Sequence, residues 1–78
     1  MVEEATKTFG SIRARGTHEE MVELHRWASE ARLDFYSRDL YDRWSSERIW
    51  SFDFNLGEHF FIFYMQWQEK ICGHRIES

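Results

Sequence analysis

Twelve of the fourteen aromatic residues of this chain fall between Phe35 and Trp67, and that crowding limits the available folds more than any other feature. A chain of 78 residues buries only about 60% of the surface that its unfolded form exposes. Phe35, Tyr36, Tyr41, Trp44, Trp50, Phe52, Phe54, Phe60, Phe61, Phe63, Tyr64 and Trp67 are therefore more than one small core can hold. Part of the set is expected to face solvent or a partner.

The length admits one core, so residues 1–78 are read as a single domain. No apolar run of about 18 residues is present to span a bilayer. The segment Met1 to Lys7, with Glu3 and Glu4, lacks the basic start and apolar stretch of a signal peptide. Cys72 is the single cysteine, which rules out an internal disulfide and makes a reducing, cytoplasmic setting the simpler expectation.

The net charge of -4 is uneven along the chain. Residues 1–16 carry a small positive excess. The stretch 17–47 sets Glu19, Glu20, Glu23, Glu30, Asp34, Asp39, Asp42 and Glu47 against Arg26, Arg32, Arg38 and Arg43. Nucleic-acid affinity is driven largely by Lys and Arg neutralising phosphates, so the acidic total speaks against direct nucleic-acid binding. It favours a protein partner with a basic surface, where complementary potentials speed encounter.

Local patterns give the elements. Ala5 to Arg15 reads as a strand with Lys7, Arg13 and Arg15 pointing outward, and the change of parity between Phe9 and Ile12 suggests a β-bulge at Gly10. Thr17-His18-Glu19-Glu20 matches a capping box. The helix that follows, over Thr17 to Leu33, turns Met21, Leu24, Ala28 and Ala31 to one face, with Trp27 at the edge of that stripe. Two readings compete for Leu33 to Glu47. In the preferred one, Leu33 to Ser37 is a short edge strand and Arg38 to Glu47 an irregular loop; in the other, Arg38 to Trp44 forms one or two helical turns.

Ile49 to Phe54 alternates cleanly, with Trp50, Phe52 and Phe54 on one face and Ser51 and Asp53 on the other. Asn55-Leu56-Gly57-Glu58 has hairpin-turn chemistry, and His59 to Gln68 is read by preference as a buried return strand. A helix over about residues 57–69, capped by Asn55 and using Phe61, Tyr64, Met65 and Gln68 as its facing positions, is the alternative. The fold expected is α+β: a single-layer antiparallel sheet of three to four strands packed against one main helix, in a β-α-β-β, split ferredoxin-like arrangement.

Trp50-Ser51-Phe52-Asp53-Phe54 followed by Phe63-Tyr64-Met65-Gln66-Trp67 resembles a W-x-F-x-F…F-x-x-x-W pattern of small α+β proteins from bacteriophages and mobile elements. With its short acidic chain, the protein is similar in kind to phage inhibitors such as anti-CRISPR proteins. The resemblance implies a chain that blocks a host defence complex by binding it, and it transfers no functional residue.

Chemical constellations are sparse. His18 and His25, and Cys72 with His74, lack the paired spacing of structural zinc sites, and no nucleophile stands with a base and an orienting group. The expectation is a non-enzymatic protein without metal or cofactor. It inhibits a protein complex by stoichiometric steric occlusion, through Asp34, Tyr36, Asp39, Tyr41, Asp42, Trp44 and Glu47. Two alternatives are a homodimer paired through its spare aromatic face, and a single-stranded nucleic-acid binder that stacks bases on Trp and Tyr with Arg13, Arg15, Arg38 and Arg43 on phosphates.

Overall fold

A computed structural model of the chain describes residues 8–40 and 48–77. The elements run β1 (Gly10–Gly16), α1 (His18–Glu30), β2 (Phe35–Asp39), β3 (Arg48–Phe54), α2 (Gly57–Gln66), a short 3-10 turn (Gln68–Lys70) and β4 (Ile71–Ile76). The four strands form one sheet in the order β2-β3-β1-β4, and every neighbouring pair is antiparallel. This connectivity, with each helix carrying the chain across the sheet to a non-adjacent strand, defines a split β-α-β sheet of the α+β class.

Alternation along the strands sorts the sheet into two faces. Ile12 and Ala14 of β1 and Phe52 and Phe54 of β3 are fully buried. They meet Met21, Leu24 and Ala28 of α1 and Phe60 and Phe63 of α2 in one core. Both helices thus lie on the same face. The rings pack closely, with Phe63 centred 4.8 Å from Phe52 and 5.3 Å from Phe54. Gly10 permits this closeness, because a Cβ there would stand 2.7 Å from the Arg75 carbonyl oxygen and 2.8 Å from the Phe60 ring.

Helix α1 is bounded by its caps. Thr17 accepts from the Glu20 amide while Glu20 accepts from the Thr17 amide, completing the capping box. At the far end Arg32 takes a left-handed φ of 62°. The Arg32 and Leu33 amides donate to the Ser29 and Ala28 carbonyls, which is the Schellman pattern with arginine in the position that glycine usually fills. Ala31 is the exposed C-cap and no part of the buried stripe.

Residues 57–66 correct the preferred reading: they form helix α2, not a return strand. Apolar side chains on every side of the segment obscured its period, and a short apolar run cannot be assigned by periodicity alone. Phe60 and Phe63 face the core at helical spacing, whereas Phe61, Ile62 and Met65 do not. Asn55 does not cap the helix. Its side chain donates to Asp34, and Leu56 occupies the N-cap without a side-chain bond. Crossing the sheet through α2 places β4 beside β1, which supplies the fourth strand.

The bulge also lies elsewhere. From Gly10 to Gly16 the β1–β3 register is unbroken, and the shift falls between β1 and β4, where Arg13 faces Gly73 but Ala14 faces Ile71, leaving Cys72 as the extra residue. Strand β2 continues past Ser37 to Asp39. The choice between loop and helical turns for the chain that follows falls on residues outside those described, as does the start of the first strand. No helix among the described residues is long and apolar enough to cross a membrane.

Candidate functional site

Beyond the core the molecule presents two unlike surfaces. On the helical side, the exposed flank of α2 carries Phe61 at 50% exposure, Ile62 at 47% and Met65 at 69%. Together with Trp27 of α1 and Gln66 they line an open cleft of about 420 Å³. Trp27 is anchored from beneath, its ring 6.3 Å from Phe63 and 5.9 Å from Trp67, both edge-on. Phe61 is braced edge-on by Phe60 and Phe9. Two of the five lining side chains, Trp27 and Phe61, are thus rings held against other rings.

Acids flank the cleft. Glu23 and Glu30, four residues before and three after Trp27, share its side of α1 by helical geometry, and Glu58 stands three residues before Phe61 on α2. All three are exposed. An apolar floor with a carboxylate border complements an apolar side chain set among basic groups.

The opposite surface is the uncovered face of the sheet. Strand register arranges it in rows. One row reads Tyr36, Asp53, Ser11, Arg75 and the next Arg38, Ser51, Arg13, Gly73. Asp53 is the organising group: Ser11 Oγ and Ser51 Oγ donate to its Oδ1 at 2.8 and 3.2 Å, and Arg38 Nη2 lies 3.6 Å from its Oδ2. A groove of about 580 Å³ runs between Arg13, Arg38 and Arg75, and at Gly73 no atom lies within 4 Å of where a Cβ would stand. Of these arginines, Arg75 is 3.8 Å from Glu77, whereas Arg13 meets no acid among the described residues. Arg15 emerges on the same face.

Of the residues expected to form a partner site, the three that are described, Asp34, Tyr36 and Asp39, do not share one surface. Tyr36 is 65% exposed on the uncovered sheet face. Asp39 has the opposite parity on the same strand and stands 3.6 Å from Arg48. Asp34 precedes the strand, where its amide donates to His59 Nδ1 at 2.8 Å and its carboxylate accepts from Asn55. Tyr41, Asp42, Trp44 and Glu47, like Arg43, lie outside the described residues. The preferred reading missed the α2 cleft because it placed Phe61, Ile62 and Met65 in a strand; the signals of it were Trp27 at the edge of the α1 stripe and the helical alternative, which set Phe61 and Met65 on one side.

The remaining polar pairs are structural. Glu20 receives Lys70 Nζ at 2.8 Å, and this bond, with that from the Thr17 amide, holds its carboxyl below the usual carboxylate range. Lys70 is held above its ordinary value by the same hydrogen bond. His18 and His25 both lie against Trp50, and His74 against Tyr64, with Cys72 exposed at the bulge. No group of three potential metal ligands occurs among the described residues. Comparison of the chain with protein-family models, curated proteins and solved structures finds no match.

Proposed function

We propose that this chain is a non-enzymatic binding domain that attaches stoichiometrically to a protein and acts by steric occlusion, with the cleft between α1 and α2 as its contact surface. The observation that carries this reading is the exposed apolar flank of α2. A monomer gains nothing in water from leaving Phe61, Ile62 and Met65 uncovered beside a braced indole, and contiguous patches of this kind mark interaction sites. Aromatic side chains and Met are the types enriched at the centres of protein interfaces.

The partner is a protein surface that offers an apolar side chain among Lys or Arg, matching the border of Glu23, Glu30 and Glu58. A host defence complex that handles nucleic acid, the target implied by the resemblance to phage inhibitors, has basic surfaces of that kind. Occlusion requires only that the bound domain cover the complex's own working surface.

The test is capture of partner from the native host background by the tagged chain, followed by native mass spectrometry of the complex. Wild type is expected to hold one partner at a fixed ratio, and a folded Met65→Lys variant is expected to lose it. Equal retention by Met65→Lys and wild type contradicts the reading. Sedimentation separates off the homodimer: a 9.6 kDa species that does not grow with concentration is expected, whereas a dimer abolished by Met65→Lys assigns the cleft to a second copy.

A further inference from the structure

The uncovered sheet face lies on the other side of the molecule from the α2 cleft and shares no residue with it. Among the described residues it is a surface where the charge of this acidic chain is reversed. Arg13, Arg38 and Arg75 surround the groove, with Asp53 the single carboxylate in the two rows. The chain-wide total of -4 conceals this, because the acids of α1 and the start of α2 sit on the helical side. We propose that this face binds a single-stranded nucleic acid, its phosphates on Arg13, Arg38 and Arg75 and a base stacked on Tyr36.

Three features select that occupant over other anions. Tyr36 is largely exposed and stands beside Asp53 in its row, and a solvent-facing ring next to cations is a platform on which any base can stack. Asp53 keeps acceptor capacity, since a carboxylate takes about four hydrogen bonds and here receives two from serines and an ion pair from Arg38. Base edges carry N–H donors that such a carboxylate accepts. Duplex DNA is read by an element that enters a groove, such as a helix or a two-stranded ribbon; the basic surface here is the face of a four-stranded sheet, and a flexible single strand conforms to it.

The experiment is fluorescence anisotropy with labelled twelve-nucleotide oligo-dT and oligo-U, at 50 and 200 mM salt, against wild type, an Arg13→Ala/Arg75→Ala double variant and Tyr36→Ala. Each phosphate contact on a single strand contributes about 0.7 to the slope of log affinity against log salt. Three arginines give a slope of about -2, so the rise in salt is expected to weaken wild-type binding about fifteenfold. The double variant is expected to show a slope of about -0.7 and at least tenfold weaker binding at 50 mM salt, and Tyr36→Ala to bind about tenfold more weakly with the slope unchanged. These residues are exposed, and circular dichroism melts check that the variants fold. Met65→Lys is expected to bind like wild type, which keeps the outcome independent of the α2 cleft. No anisotropy change at 100 μM protein and 50 mM salt overturns the proposal. So does equal affinity for a duplex of the same length, or stronger binding of a poly-glutamate peptide.

Discussion

The two faces of the sheet are built from the same strands at alternate positions, yet they differ in what holds them. The helical side is apolar at its centre: Phe52, Phe54, Phe60 and Phe63 close the core, and the surplus continues outward along α2 as the cleft, with exposed acids at its border. The uncovered side is polar, knit by hydroxyl, carboxylate and guanidinium groups around Asp53. One residue of register separates Phe52 from Ser51 and Asp53, and in a strand that single step moves a side chain from core to solvent. A small domain of this topology can thereby offer two surfaces of opposite character, one apolar with an acidic border and one basic.

Substitutions that contrast inward with outward positions test this division, beginning with the largest effect. Phe63→Ala opens a cavity beneath both helices and is expected to cost about 3–5 kcal/mol. Phe61→Ala, two residues earlier and half exposed, is expected to cost about 1 kcal/mol or less. Urea midpoints measure both, and equal losses would break the assignment of inner and outer faces of α2. Gly10→Ala drives a methyl against the Arg75 carbonyl and the Phe60 ring and is expected to cost about 1–3 kcal/mol.

On the polar face, Asp53→Ala leaves the Ser11 and buried Ser51 hydroxyls without their acceptor, at a cost of about 1–2 kcal/mol. Arg32→Gly relieves the left-handed cap and is expected to stabilise by about 1 kcal/mol. The smallest effect concerns pH. Because Glu20 is held below the usual range by Lys70, its contribution is present at neutral pH and lost as pH falls through its folded value, below about pH 4. Lys70 is raised, so the same pair is lost again in strong alkali, above about pH 10.4. Glutamine at position 20 keeps the capping box but not the ion pair. Thermal melts of wild type and Glu20→Gln are expected to differ at pH 7 and to draw together as the pH is lowered through the folded value of Glu20.

The first three strands and the first helix were legible because their signals are local, whereas Ile71–Ile76 was assigned to no element. Thr17 and Glu20 announce a helix start, and Trp50, Phe52 and Phe54 alternate against Ser51 and Asp53. The second helix was not, since Phe60 to Met65 is apolar in every direction and no polar stripe marks its period. That ambiguity also hid the candidate site: read as a strand, the segment puts Ile62 on the opposite sheet face from Phe61 and Met65, whereas the helix brings all three to one flank. The basic groove was read only in part: Arg13 and Arg38 were named together in the nucleic-acid alternative, and Arg75 was not. Arg13, Arg38 and Arg75 are far apart in sequence and converge only through the β2-β3-β1-β4 order, while the total charge pointed the other way. The aromatic surplus was legible as a quantity, and its location was not: Tyr36 and Phe61 emerge on opposite sides of the molecule.

The most direct test of two separate binding faces is an amide nitrogen–proton correlation spectrum of the labelled chain, titrated with single-stranded oligo-U. The expected result is that shifts concentrate at Ser11, Arg13, Tyr36, Arg38, Asp53 and Arg75, with the amides of residues 58–66 in α2 unmoved. Shifts centred on α2, or none at millimolar oligonucleotide, would contradict the division of the molecule into an apolar protein-binding side and a basic sheet face for nucleic acid.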